Sequence, residues 1–284
     1  MNTNKTKETI KELSISELRP FKGHPYRVVD DEEMGRLVES IEEHGVMTPI
    51  NVRPIEGGYE VISGHRRIHA AKRAGLTTIP AIEMDMTRDQ AAVALVDSNL
   101  HRERLLPSEK AFAYKLKFDA LARQGRRTDL TSDQVGPKLT VDKLSDDDNA
   151  TQVKRYIRLT NLIPPLLRMV DEERIAFTPA VELSYLTQEE QEMLFTEIGV
   201  TLATPSLSQA CRLKKLSGEG KLDEETITAI MAEEKPNQKE RVSVPLSALK
   251  GKVPDSYTDK QLQEFVIKAV DHYHRYLMRQ REVR

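Results

Sequence analysis

Ser63-Gly64-His65-Arg66-Arg67 places a hydroxyl, a glycine, an imidazole and two guanidiniums on five consecutive residues. These groups suit a phosphate: hydroxyl and imidazole donate hydrogen bonds, guanidinium adds charge and a fork of donors, and glycine lets the backbone come close. Gly58 to Ser63 alternates Tyr59, Val61 and Ser63 with Glu60 and Ile62, a strand pattern that Gly64 ends. From Arg66 onward Ile68, Ala71 and Ala74 recur on one face and Gly75 stands at a C-terminal cap, so a helix is predicted to open at Ser63-Gly64-His65. Its first turn presents unpaired N–H groups and a partial positive charge. Adding Arg66 and Arg67 there is unfavourable unless an anion answers them, either a phosphate or a carboxylate such as Glu83 or Asp85 in a structural ion pair. Residue types alone leave both readings open.

The flanking elements follow from periodicity. Met1 to Glu12 is polar and expected to be a disordered tail, with a first short strand at Leu13-Ser14-Ile15 and Leu18. Asp30-x-x-Glu33 is a capping-box pattern ahead of a helix with Met34, Leu37, Val38 and Ile41 inward, ending at Gly45. Pro49 to Pro54 is predicted to pair with Gly58 to Ser63 as a hairpin, and Pro80 to Met86 to form another strand. Thr87-x-x-Gln90 caps a helix carrying Ala91, Ala92, Leu95 and Val96 inward, and Pro107 starts a further one through about Gln124. Residues 125–138 read as linker with a short helix at Thr131 to Val135; Thr187-x-x-Glu190 and Ser206-x-x-Gln209 are further capping boxes. Residues 235–257 read as linker with a strand at Val242 to Leu246. Thr258 then caps a last helix whose stripe of Leu262, Val266, Ala269, Tyr273 and Tyr276 suits docking or dimerisation.

The 284 residues have room for two or three small domains. Charged residues at 31%, aromatics at 5% and no Trp favour a helix-rich, well-solvated chain over a dense barrel. With a net charge of −2, any nucleic-acid contact has to come from local basic faces. Cys211 stands alone, which excludes internal disulfides; with no apolar leader or spanning run, a soluble cytoplasmic protein without membrane association is expected.

Several motifs recur in order. Gly45-Val46-Met47-Thr48-Pro49-Ile50-Asn51-Val52-Arg53 precedes Gly64-His65-Arg66-Arg67; Ala74-Gly75-Leu76-Thr77-Thr78-Ile79-Pro80 and Ser98-Asn99-Leu100-His101-Arg102-Glu103 follow. Through them, residues 15 to 121 resemble the N-terminal domain of the ParB family of DNA-partition proteins. The resemblance implies a mixed α+β ParB-like nucleotide-binding domain over 13–106 after a tail at 1–12. It further implies an all-α DNA-binding domain with a helix-turn-helix over 107–234, and a linker with a C-terminal helix over 235–284. It places CTP on Thr48, Pro49, Ser63, Gly64, His65, Arg66, Arg67, Asn99 and Arg102, with the Asn99 carboxamide oxygen offered to Mg²⁺. It implies a CTP-controlled clamp on double-stranded DNA at a specific site, a homodimer, a partition ATPase as partner and a place on the nucleoid.

The family's usual glutamates stand here as His65 and Ser98, and its Gln-Pro-Arg motif as His24-Pro25-Tyr26 with Arg27 one place on. These departures bear on hydrolysis more than on binding, so weak CTP hydrolysis is left open. Asp97 points roughly 100° from Ser98 on a helix. From Thr140 the text resembles a helix-turn-helix, with a first helix at 140–147 and a reader helix from Ala150. Thr151, Gln152, Lys154, Arg155 and Arg158 fall outside the Val153 and Ile157 stripe, a mixture suited to base edges and phosphates. An ordinary amphipathic helix shows the same pattern, and Asp146, Asp147 and Asp148 would repel phosphate. The alternatives are a transcriptional regulator with a vestigial pocket and a nucleotide-using enzyme or nuclease; the sequence lacks the carboxylate cluster that a two-metal nuclease needs.

Overall fold

The computed structural model describes residues 10–100, 105–128, 144, 148–233 and 259–282. Five strands, β1 (Ile10–Ser14), β2 (Leu18–Pro20), β3 (Ile50–Ile55), β4 (Gly58–Ser63) and β5 (Thr78–Glu83), form one mixed sheet in the order β1-β5-β3-β4-β2. β3 and β4 are the expected antiparallel hairpin, while β5 runs parallel to β3 and β2 parallel to β4. Gly58, at φ +143°, is needed there because a Cβ would collide with the Glu17 carbonyl oxygen where β2 approaches β4. The sheet begins earlier than the sequence suggested: Ile10, Lys11 and Glu12, assigned to the polar tail, pair with Ile82, Ala81 and Pro80 of β5. Lys11 donates to Glu83 at 2.7 Å on this edge.

Successive β4 residues serve opposite faces. Val61 joins a core of Leu13, Ile50, Val52, Ile68 and Ile79, whereas Ile62 joins one of Phe21, Tyr26, Ala92, Leu95 and Val96. Helix α1 (Glu32–His44) packs on α2 (His65–Arg73) through Met34, Val38, Ile41 and Ala70. Its cap is Asp31, one residue beyond the Asp30 expected; Asp31 Oδ1 accepts from the Met34 N–H at 2.8 Å, while Asp30 is engaged by His69 and Arg73.

Helix α3 (Arg88–Leu100) covers the second face of the sheet and packs on α4 (Pro107–Thr128). The Thr87 and Gln90 capping box forms. Beyond α4 the described chain is all helix: α5 (Ala150–Leu159), α6 (Pro164–Asp171), α7 (Phe177–Leu183), α8 (Gln188–Thr201), α9 (Leu207–Gly218) and α10 (Glu224–Met231). The predicted capping boxes at Thr187 and Ser206 open α8 and α9. α4 touches α3 on one side and α5 and α6 on the other, so the sheet-bearing and helical parts share it.

The chain divides into two compact units, Met1–Glu233 and Glu234–Arg284. In the second, α11 (Asp259–Glu282) exposes Phe265, Ile267, Val270 and Tyr273. The elements expected at 131–135 and 242–246 lie outside the described residues, as does all of 140–147 except Leu144, which is buried. No described helix is long and apolar enough to cross a membrane.

Candidate nucleotide cleft and basic helix

Gly64 holds the loop ahead of α2 in shape. It caps α2 at φ +101°, ψ +20°, a left-handed conformation open to glycine, and a Cβ there would lie 2.6 Å from Ile50 Cγ2. No side chain caps α2, so its first N–H groups face the loop. Arg67 bends under the loop and donates to the backbone carbonyls of Thr48, at 2.7 Å, and Pro49. Burial pushes its guanidinium below the ordinary arginine value. Thr48 and Pro49 thus meet the site through their main chain. Arg66 pairs with Asp31 at 3.1 Å and Glu33 at 3.5 Å. The carboxylates that answer it are therefore those of α1's N-terminus rather than Glu83 or Asp85.

The loop and the two arginines line a cleft of about 230 Å³; Thr48 and Pro49, expected among its residues, do not line it and touch it only through Arg67. Its floor is Ser63, Gly64, His65, Arg66 and Arg67, its far wall is Ser98 and Asn99 from the end of α3, and a strap of His24, Tyr26, Arg27 and Val28 closes the side. The His24 ring lies 3.8 Å from that of His65, and His24 Nδ1 meets the Tyr26 carbonyl at 2.8 Å. The Asn99 amide nitrogen donates to the Leu95 carbonyl and to Ser98 Oγ, which leaves its carboxamide oxygen as the atom to offer a cation. Asp97 accepts from Lys117 at 2.6 Å and does not line the cleft, as its helical angle predicts. Arg102 lies outside the described residues. His24, Tyr26, Arg27, Val28 and Ser98 line the cleft without having been assigned to it from sequence; the departures at His24-Pro25-Tyr26 and Ser98 mark their segments but not their placement.

On the rim, Asp31 is held below the usual carboxylate range by the Met34 N–H and by Arg66, and Asp30 by His69 and Arg73. A depressed carboxylate supports the fold above its unfolded pKa and loses that support as pH falls through the folded value. The wild type should therefore lose more stability than Asp31→Asn as pH drops below about 4. Matched acid-unfolding curves for the two proteins would sink this account.

On α5, Thr151 and Lys154 are exposed, while Gln152, Arg155 and Arg158 are half-buried. Arg155 donates to Gln152 Oε1 at 3.3 Å and Thr178 Oγ1 at 2.9 Å and lies 5.0 Å over the Phe177 ring. Asn149 caps the helix through the Gln152 N–H. Asp148 accepts from Lys110 and Tyr114, so its charge is answered from α4; burial raises its pKa, but these two bonds outweigh burial and the net shift is downward. Asp146 and Asp147 lie outside the described residues.

The ParB N-terminal domain family matches over residues 1–100. Stage 0 sporulation protein J of Bacillus subtilis is 38% identical over 167 residues, 59% of this chain and 54% of that protein, so the match spans little more than half of that relative. The probable chromosome-partitioning protein ParB of Vibrio cholerae is 30% identical over 256 residues, covering 83% of this chain and 81% of that one. Among solved structures, the C-terminally truncated chromosome-partitioning protein ParB from Caulobacter crescentus, complexed with CTP-gamma-S, covers 67% of this chain and 98% of its own at 23% identity and a TM-score of 0.31.

Proposed function

The chain belongs to the ParB family of chromosome-partitioning proteins, and from that premise we propose that it is a site-specific double-stranded-DNA-binding protein controlled by CTP in the cleft above α2. One observation carries the nucleotide half: Ser63, Gly64, His65, Arg66 and Arg67, contiguous in sequence, meet Ser98, Asn99 and Arg27 around one cleft. A triphosphate fits that set, since Arg27, Arg66 and Arg67 supply charge and the uncapped start of α2 supplies N–H donors. Mg²⁺, when bound, would neutralise phosphate charge, with the Asn99 oxygen as a ligand. Arg66 would exchange Asp31 and Glu33 for phosphate. That exchange couples the nucleotide to the start of α1, and a ligand that favours the rearranged state shifts the population toward it.

In this reading α5 is the second helix of a helix-turn-helix and presents Thr151, Gln152, Lys154, Arg155 and Arg158 to the major groove. Nucleotide would close a homodimer around DNA, α11 offers an apolar face for pairing, and a partition ATPase would act on the complex in segregation of a chromosome, plasmid or mobile element. Hydrolysis would be weak, because Ser98 stands where an acid is usual and Asp97 is committed to Lys117. The ion pairs of Arg66 favour the second reading, a DNA-binding regulator whose pocket is vestigial.

Calorimetric titration with CTP, ATP, GTP and UTP in Mg²⁺ buffer separates the two. Selective CTP binding, lowered at least about tenfold by Arg66→Ala with duplex binding unchanged, is the expected result, since a charged hydrogen bond to phosphate contributes about 1.5–3 kcal/mol. No heat with any nucleotide would leave the regulator. Arg155→Ala should do the reverse, losing duplex affinity while keeping nucleotide affinity.

A further inference from the structure

We propose that Arg158, Tyr185 and Lys214 form a second contact for the DNA backbone, a phosphate seat beyond the end of α5; the proposal rests on the reading of α5 as the helix that faces DNA. Thr151, Lys154 and Arg158 follow one another at i, i+3 and i+7 and so share one face of α5. Arg158 stands at the far end of that face. Its Nη2 donates to the Ser184 carbonyl at 3.1 Å, and its guanidinium carbon is 3.9 Å from the centroid of the Tyr185 ring. Lys214, arriving from α9, places its ammonium 3.7 Å from the same centroid. Two helices distant in sequence thus bring two cations onto one ring that is 45% exposed.

Two cations on one ring repel each other, and the ring's π system offsets only part of that. Glu182 accepts from Lys214 at 2.8 Å, so one carboxylate stands against two cations and a positive excess remains. A phosphate would neutralise it. The stack also holds both cations in place before any ligand arrives, which lowers the ordering cost of a contact. Spacing favours a duplex over a free phosphate as the source. Thr151 and Arg158 are about 10 Å apart along the axis at 1.5 Å per residue, and the major groove is about 12 Å wide. A helix whose first turn meets base edges therefore carries its last turn to the phosphates flanking the groove. The seat adds affinity without reading sequence.

The test follows binding of a labelled random-sequence duplex to the full chain by anisotropy across a salt series, for wild type, Lys214→Gln and Lys214→Arg. Losing one phosphate contact should weaken Lys214→Gln several-fold at low salt and reduce the slope of log K against log salt by about one. Lys214→Arg should keep the wild-type slope, and thermal melting should be the same for all three. A wild-type slope in Lys214→Gln, or equal losses in both variants, would overturn the seat. If inorganic phosphate at millimolar level protects wild type from thermal unfolding but not Lys214→Gln, with duplex slopes unchanged, the seat takes a free anion and the DNA assignment falls. A wild-type chain that binds no duplex overturns the reading of α5 along with it, an outcome distinct from all of these.

Discussion

Gly64→Ala should lower the folding stability by about 2–6 kcal/mol and weaken the proposed nucleotide binding more than tenfold. Two costs add. The residue sits at φ +101°, where an L side chain is strained by about 1–3 kcal/mol. The new methyl would also stand 2.6 Å from Ile50 Cγ2 and 3.0 Å from Ile50 Cβ. Ile50 is wholly buried on β3, in register with Ala81 of β5, so it cannot step aside without moving the sheet. Overpacking of this kind costs about 1–3 kcal/mol more. The easier relief is to push the loop outward, and that path runs through Arg67, whose guanidinium carbon is 3.4 Å from the added atom. Displacing Arg67 breaks its bonds to the carbonyls of Thr48 and Pro49 and opens the floor of the cleft. Urea unfolding gives the first effect and calorimetric titration the second. A variant as stable as wild type would show that the loop relaxes freely and that Gly64 serves no steric purpose.

The same loop marks how far the sequence could be read. A strand, a glycine and a helix are local events set by periodicity and by the freedom of one residue, and so β4, Gly64 and α2 were legible, as were the capping boxes at Thr87, Thr187 and Ser206. The predicted lining residues from Ser63 to Arg67 and Asn99 share one cleft. What answers Arg66 was not legible. Glu83 and Asp85 stood near in sequence, but Asp31 lies 35 residues away and reaches Arg66 because α1 packs on α2 through Met34 and Ala70. Strand order was hidden for the same reason: nothing local tells β1 to pair with β5 or β2 to run beside β4. The arginines of α5 could be placed on a face but not assigned partners, because Phe177, Thr178 and Tyr185 come from chain that packs beside it later. Reading a face is a matter of angle; reading what meets that face requires the tertiary fold.

Asp171→Ala should destabilise the protein by about 2–6 kcal/mol, through a helix it does not belong to. The Asp171 carboxylate at the end of α6 is only 6% exposed and accepts from the Ser108 N–H at 2.9 Å, from Ser108 Oγ at 2.6 Å and from Arg27 at 3.3 Å. Ser108 is in the first turn of α4, so Asp171 caps α4 from a distance and sets a negative charge at its positive end. Removing it leaves a buried N–H and hydroxyl unanswered, each about 1–3 kcal/mol if no water enters. The Arg27 bond adds little, since that side chain is 60% exposed. Arg27 nonetheless carries the consequence into the cleft: its own N–H is held by Glu109 at 2.8 Å, and Glu109 also accepts from Leu106, so strap and α4 start are tied at two places. With Asp171 gone one tie remains. Asp171→Asn, which keeps the shape and one acceptor, should recover about half of the loss. Melting curves of the two variants decide it: if both lie on wild type, α4 is held by its packing on α3 and the carboxylate is dispensable.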